Sequence, residues 1–465
     1  MRFPVSCKIS PFFKWWNYRA LRCHTIVSSV PETRSRVRYT VLAMLFIVSS
    51  LNYASRATLS IAGPAASKEL GINALQLGNL FSAFGWTYVI AQIPGGWLLD
   101  RFGSKIVYAV SILTWSVFTF LQGFAGAFHA GAALLLLFGL RLLLGFAEAP
   151  AFPANSRIVA AWFPTAERGT AAAVFNSSQY FATALFAPLS GWITHEYGWK
   201  WVFFVTGGIG ILLAAIWMKT IYSPNDHPRV SQHELEFIES GGALVNMETG
   251  RKAAGGPSQW NMICQLMGNR MLAGVYLGQY CITTITVFFA TWFPAYLVNE
   301  RHMSILKAGF TASLPALCGF AGGIVGGLFS DRMLKSGASL TKARKVPIVA
   351  GMILSVSMVL CNFAPEQWMV VVIMSLAFFG KGVGALGWAV MADTSPKQIA
   401  GLSGGLFNMC GNITTITTPL IIGYIVNLTG SYKGALVYVA ANAAVAIFSY
   451  LFIVGEIKRV ELRSL

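Results

Sequence analysis

The sequence predicts an all-α polytopic membrane protein with twelve transmembrane helices in two six-helix pseudo-repeats. Three observations carry this expectation. Apolar runs of bilayer-crossing length, about 18 residues or more, recur along the whole chain. Only 11% of residues are charged and 55% are hydrophobic, with a mean hydropathy of +0.61, where soluble domains carry about 25% charge. Short motifs also return at a fixed separation. Pro164, Gly169, Phe175-Asn176 and Gly191 all reappear at one constant offset, as Pro396, Gly401, Phe407-Asn408 and Gly423. Asp100-Arg101 reappears as Asp331-Arg332, at an offset one position shorter. A shared offset across several elements marks an internal repeat, and repeats of this kind place a site at their interface.

Taken in order, residues 1–38 form a basic extension with eight Lys/Arg and a single acid, Glu32. No apolar run there precedes a small-residue cleavage site, so no cleaved signal is expected. The N-terminal bundle occupies 39–221, with spans near 39–63, 75–98, 105–126, 129–152, 169–193 and 199–221. A polar linker over 222–269 follows, carrying Pro224, Asp226, Pro228 and four glutamates. The C-terminal bundle occupies 270–456, with spans near 270–298, 305–330, 345–364, 367–391, 399–427 and 433–456, and a short tail runs over 457–465.

The net charge of +17 suggests nucleic acid until the 34 Lys and Arg residues are placed on these spans. Twenty-six fall in the termini, the even-numbered loops and the linker; five (Lys68, Lys200, Arg301, Lys307, Lys433) fall in the odd-numbered loops, and three lie inside spans. Lys and Arg accumulate on the cytoplasmic side of membrane proteins. The bias therefore predicts cytoplasmic termini in a plasma (inner) membrane, with no nucleic-acid partner. The seven cysteines lack CxxC spacing and read as small buried hydrophobes. No HExxH, GxSxG or phosphate-loop motif is present, and the six histidines lie in loops or at span ends. Neither an enzyme nor a metal or cofactor site is expected, and the linker is too short and polar for a sensor's output domain.

Charge inside the membrane is costly, about 2.5–3.5 kcal/mol per residue on the mildest scale, and marks function. Arg56, Arg141 and Lys381 are the basic residues inside spans, against Glu148 as the one deeply placed acid. Arg141 and Glu148 stand seven residues apart, about two helical turns, and so share a face. Three cations against one carboxylate predict a cavity that prefers an anion, with Glu148 partly neutralising Arg141.

Several motifs carry a resemblance. Gly96-Trp-Leu-Leu-Asp100-Arg101-Phe-Gly103-Ser-Lys105 and Arg141-x-x-x-Gly145 resemble signatures of the major facilitator superfamily. NYASRATLSIA (52–62), GFAEAPAFPANSRIVAAWFP and FFGKGVGALGW are similar to its anion:cation symporter branch, and most similar to bacterial glucarate/galactarate permeases. The likeness runs from about residue 38 to the C-terminus. It implies a monomeric carrier of a sugar-acid anion, driven by protons through alternating access. An aldonate or hexuronate carrier, or an uncoupled facilitator, is the alternative.

The resemblance assigns substrate contact to Tyr53, Arg56, Gln179 and Asn408. Tyr88, Arg141, Lys381 and Trp388 complete the expected substrate site, the last two on an expected stripe Lys381–Ala385–Trp388. Amides and hydroxyls at Asn52, Asn176, Tyr180, Asn412 and Thr415 would suit a polyhydroxylated chain. Arg56 and Lys381, from opposite halves, would grip the two ends of a dicarboxylate, and Glu148 would carry the proton. One departure stands out. The family pattern Asn-Tyr-Ala-Asp-Arg has Ser55 in place of its aspartate here. Asp100, Arg101 and Lys105, with Asp331 and Arg332, are expected to latch the cytoplasmic gate.

Overall fold

The computed structural model describes residues 35–164, 167–246, 259–396 and 400–461. The basic extension before residue 35, Lys397 and the last tail residues lie outside this range. Ten helical stretches are long and apolar enough to cross a membrane. Two further helices, Ala74–Phe102 and Arg168–Tyr197, are as long but more polar, giving twelve rods among the described residues. Those two pack against the opposite half, which accounts for their lower apolarity.

Local chemistry sets the ends. Asn73 and Gln76 form a reciprocal capping box at the start of the second span, at 2.8 and 3.0 Å. Ser304 and Ser339 cap the eighth and ninth spans. The first span, Val37–Leu70, continues past the expected end at 63 because Pro64 is accommodated inside the helix, and it stops only at Gly71, whose φ of +66° glycine adopts without strain. The fourth span does not end near 152. It breaks at Ala149–Pro150, just after Glu148, and resumes over Ala151–Trp162. The tenth span breaks over Gly384–Leu386, just after Lys381, and resumes over Gly387–Thr394. Interrupted helices at membrane depth are tolerated where protein or a cavity covers the freed backbone.

The repeat is visible in the packing. Gly191 of the fifth span meets Gly309 of the eighth, and Gly423 of the eleventh meets Gly78 of the second. Gly191 and Gly423 share the offset of the first motif set, and Gly78 and Gly309 share that of Asp100-Arg101 and Asp331-Arg332. Small residues let helix backbones approach closely. A Cβ on Gly78 would lie 2.7 Å from the Pro419 carbonyl oxygen and 3.2 Å from the Gly423 Cα. These contacts close the two halves against each other at the end opposite the linker. Gly78→Val is expected to cut transport at least tenfold by preventing this closure, while a melting curve shows the protein still folded. Wild-type rates in that variant would remove the closure from the transport cycle.

At the same far end each half carries one carboxylate staple. Glu69 accepts from Trp199 Nε1 at 2.7 Å and pairs with Lys200 Nζ at 2.8 Å. Glu300 occupies the equivalent position in the second repeat. It accepts from Ser431 Oγ at 2.9 Å and Tyr432 N at 3.2 Å. Trp199 and Trp292 are buried at this end, Trp292 edge-on to Phe81 at 5.3 Å.

The first part of the linker is folded onto the N-terminal half. Its helix Gln232–Ser240 brings Glu234 to the start of the first span. There the carboxylate accepts from Ser35 Oγ (2.6 Å), Val37 N (3.0 Å) and Arg38 N (3.2 Å). It therefore caps a helix whose own N-cap, Arg36, supplies no side-chain bond. Arg38 also pairs with Glu167 at 3.3 Å, and Arg168 donates to the Gly242 carbonyl at 2.6 Å. His227 sits edge-on to Trp162 and Tyr222 and accepts from Arg229 N at 3.1 Å. Desolvation by burial holds its imidazole below the ordinary range.

Candidate functional site

The site begins at the break in the fourth span. Glu148 is the last residue of Ala130–Glu148 and is fully buried. Its Oε1 accepts from Ser55 Oγ at 2.8 Å, and its Oε2 accepts from Arg56 Nε at 2.7 Å. Both partners belong to the first span; Arg141 stays within electrostatic reach of Glu148 but makes no ion pair with it among the described residues. Seven-residue spacing puts Arg141 and Glu148 on one face, but their side chains stay apart and a neighbouring helix supplies the nearer cation.

Arg56 is held in an aromatic cage. Its guanidinium lies 4.6 Å from the Tyr88 ring centre, 4.7 Å from Phe84 and 5.4 Å from Tyr53. Tyr88 stacks on Phe84 at 5.0 Å, and Tyr53 meets Phe152 edge-on at 6.1 Å. Each ring face offers a cation about 0.5–2 kcal/mol of attraction, more where water is excluded. The cage and Glu148 together hold the guanidinium, and its Nη2 is buried without a hydrogen-bond partner among the described residues.

Arg141 is only 2% exposed, and among the described residues its Nε and Nη1 have no hydrogen-bond partner. Asn52 Nδ2 and Gln92 Nε2 are in the same position. These groups are all donors, two of them cationic. An unpaired buried donor costs about 1–3 kcal/mol, more when charged. Buried cationic donors left unpaired in this way suit an anion rich in oxygen.

Across the interface, Lys381 is 5% exposed. Its Nζ lies 3.5 Å from the Tyr180 hydroxyl of the fifth span and 5.3 Å from the Phe378 ring centre. No carboxylate pairs with it among the described residues. Asn408 donates to Gln92 Oε1 at 3.4 Å and accepts from Asn412 at 3.1 Å. Nearby, Gln279 donates to Thr283 at 3.2 Å and approaches Gly387 and Gly411. Gln179 lies on the fifth span one residue before Tyr180, half-buried.

Trp388 does not continue a stripe from Lys381 through Ala385. The glycine-rich break interrupts the helix, and Trp388 stands on the second segment, 55% exposed, edge-on to Phe407 at 4.9 Å. The segment before the break packs backbone to backbone, which only glycine allows. A Cβ on Gly380 would lie 2.5 Å from the Gly351 carbonyl oxygen, and one on Gly382 2.2 Å from that of Gly319.

At the linker-end gate, the contacts described for Arg101, Lys105 and Asp331 stay within their own half. Arg101 lies over Trp97 and Phe102, Lys105 Nζ stands 3.2 Å from the Tyr222 ring centre, and Asp331 approaches Arg344 at 4.0 Å. Arg344 pairs more closely with Asp393, at 2.8 Å. Among the described residues no ion pair joins the two halves. The side chain of Asp100 lies outside the description.

Sequence reasoning missed Gln92, Phe84 and Gln279. Gln92 had a usable signal, an amide four residues after Tyr88 in an otherwise apolar run. The aromatic cage had none, because phenylalanine is ordinary in any span.

Twelve rods in two related halves, with buried cations at their junction, define a carrier-type membrane protein. The chain belongs to the major facilitator superfamily, whose sequence profile matches residues 45–341. A Bacillus subtilis protein named probable galactarate/D-glucarate transporter is 63% identical over 93% of this chain and 95% of its own. An Escherichia coli protein of the same name is 57% identical over 94% of this chain and all of its own. The E. coli D-galactonate transporter is 40% identical, covering 91% and 97%. Among solved structures, a D-xylose–proton symporter aligns over 90% of this chain and 98% of its own, with a TM-score of 0.67 at 12% identity, and so shares the fold.

Proposed function

We propose that this chain is a monomeric secondary carrier, not an enzyme, that imports an aldarate dianion such as D-glucarate or galactarate together with protons. The reading places it in the bacterial inner membrane with both termini cytoplasmic, the linker end being the basic one. The names of the 54–63% identical relatives support the substrate class. The observation that carries the mechanism is the orphaned cation set: Arg141 and the free Nη2 of Arg56 in one half, and Lys381 in the other.

One substrate carboxylate binds Arg141 and Arg56, the other reaches Lys381, and the hydroxylated chain meets Gln92, Gln179, Asn408 and Asn412. Glu148 and the substrate compete for Arg56. Protonating Glu148 releases Arg56 to the substrate, so proton and anion bind with positive coupling, and the coupling is reciprocal. Once both have left, the Glu148–Arg56 pair re-forms, and the empty carrier crosses with Arg56 compensated and one bare charge fewer.

Alternating access then exchanges the far-end glycine contacts for a linker-end latch involving Asp100, Arg101, Lys105, Asp331 and Arg332. Purified protein in proteoliposomes is expected to accumulate labelled D-glucarate when the external side is acid relative to the lumen, with galactarate as a strong competitor. Equal uptake with and without the proton gradient would sink the symport reading, and no uptake of any aldarate would sink the substrate class.

A further inference from the structure

We propose that Ser55 is a positioning residue for the transported proton, its single hydroxyl serving Glu148 in both protonation states. The proposal rests on the symport reading above and adds a role for a side chain that cannot itself titrate.

Among the described residues, the side chain of Glu148 has two hydrogen-bond partners, Ser55 Oγ and Arg56 Nε. Arginine offers donors only, whereas a hydroxyl both donates and accepts. Ser55 is therefore the one partner able to receive a hydrogen bond from a protonated Glu148. Its geometry suits that exchange. Ser55 Oγ lies 2.8 Å from Glu148 Oε1 and also 2.8 Å from the carbonyl oxygen of Asn52, one turn earlier on the same helix. One proton cannot serve both acceptors at once.

With Glu148 ionised, the serine hydroxyl donates to Oε1 and Arg56 donates to Oε2, so each carboxylate oxygen has one donor. A proton arriving as hydronium forms an O–H bond at Oε1 and leaves water behind. The new acid O–H donates to Ser55 Oγ, and the serine proton turns to the Asn52 carbonyl. Only an O–H rotor moves. Without Ser55 the buried acid would face donors alone and leave its proton unbonded, which burial penalises.

The other ionisable groups near Glu148 cannot take this part. Arg141 on its own span is a donor only. Tyr53 on the first span, Tyr88 on the second and Tyr108 on the third lie within electrostatic reach, with Tyr180 on the fifth beside Tyr53. None of these phenols hydrogen-bonds to Glu148 among the described residues.

The test is the pH profile of proton-driven D-glucarate uptake in proteoliposomes, normalised to glucarate counterflow in the same vesicles. Ser55→Ala removes the stronger, charge-assisted bond to the carboxylate as well as the weaker one to the acid. The pH of half-maximal uptake is therefore expected to rise by about one unit, a tenfold change in proton concentration. Ser55→Thr, which keeps the hydroxyl, is expected to restore the wild-type midpoint. A merely structural serine would lower rates without moving the midpoint. If Ser55→Ala does not insert, Ser55→Cys carries the same test, its weak thiol moving the midpoint in the same direction. A wild-type midpoint in these variants, alongside proton-driven wild-type uptake, overturns the role of Ser55 alone. Absence of proton drive in the wild type overturns the symport reading and this role with it.

Discussion

Glu148→Gln is expected to lose net, proton-driven accumulation of glucarate while still exchanging external for internal glucarate at a reduced rate. Glutamine keeps the shape and its amide oxygen can still accept from Ser55 or Arg56, but it never ionises. The variant is thus held in the state in which Arg56 is free for substrate. Loaded carrier can cross in that state, because the two substrate carboxylates leave only one of the three cations uncompensated. The empty carrier cannot, because Arg56 would cross beside Arg141 and Lys381 with no compensating carboxylate. Leaving one buried charge uncompensated costs roughly 3–5 kcal/mol, so the return step slows by about 10²–10⁴-fold. The measurement compares counterflow with uptake driven by an imposed pH gradient. Accumulation at the wild-type level in Glu148→Gln would show that the proton travels elsewhere.

Much of this site was legible in the sequence as a set of residues and much less as a set of partners. The spans follow from apolar run length, and the buried charges stand out because membrane interiors penalise them. Pairing is another matter. Arg141 and Glu148 lie on one helix face, so local spacing makes them neighbours; only the crossing of the first and fourth spans brings Arg56 and Ser55 closer. The stripe from Lys381 to Trp388 failed for a related reason. Helical spacing presumes an unbroken helix, and this one stops at Val383 and resumes at Gly387, so residues on the two sides of the break share no face.

The repeat was read from motifs at a nearly constant offset, and its physical content is the paired glycine contacts 191/309 and 423/78. The matching staples at Glu69 and Glu300 follow the same repeat but passed unnoticed, since isolated glutamates at span ends look like solvated loop residues. The linker's composition marks it as polar but gives no sign that Glu234 is buried against the first turn of a helix far away in sequence.

Lys381→Asn is expected to change which anions the carrier prefers more than whether it works. Lys381 has no carboxylate partner of its own among the described residues and touches the opposite half through Tyr180. It therefore stands where the second carboxylate of an aldarate arrives, while Arg56 and Arg141 take the first. Truncating one member of a buried charge pair costs about 2–5 kcal/mol. For glucarate or galactarate that is a loss of at least about 30-fold in apparent affinity, each 1.4 kcal/mol being tenfold. A monocarboxylate such as galactonate places a hydroxymethyl group at that position. It gains little from the ammonium, and the asparagine amide can hydrogen-bond that hydroxyl. Its uptake is expected to change by only a few-fold, in either direction, so the preference for dicarboxylate over monocarboxylate should fall by at least an order of magnitude. Competition of a sugar-acid panel against labelled glucarate measures this in one experiment. An unchanged ratio in Lys381→Asn would remove Lys381 from the substrate site and leave it as a clasp between the halves through Tyr180. Tyr180→Phe separates the two roles, because it breaks the clasp while leaving the ammonium in place for the dicarboxylate.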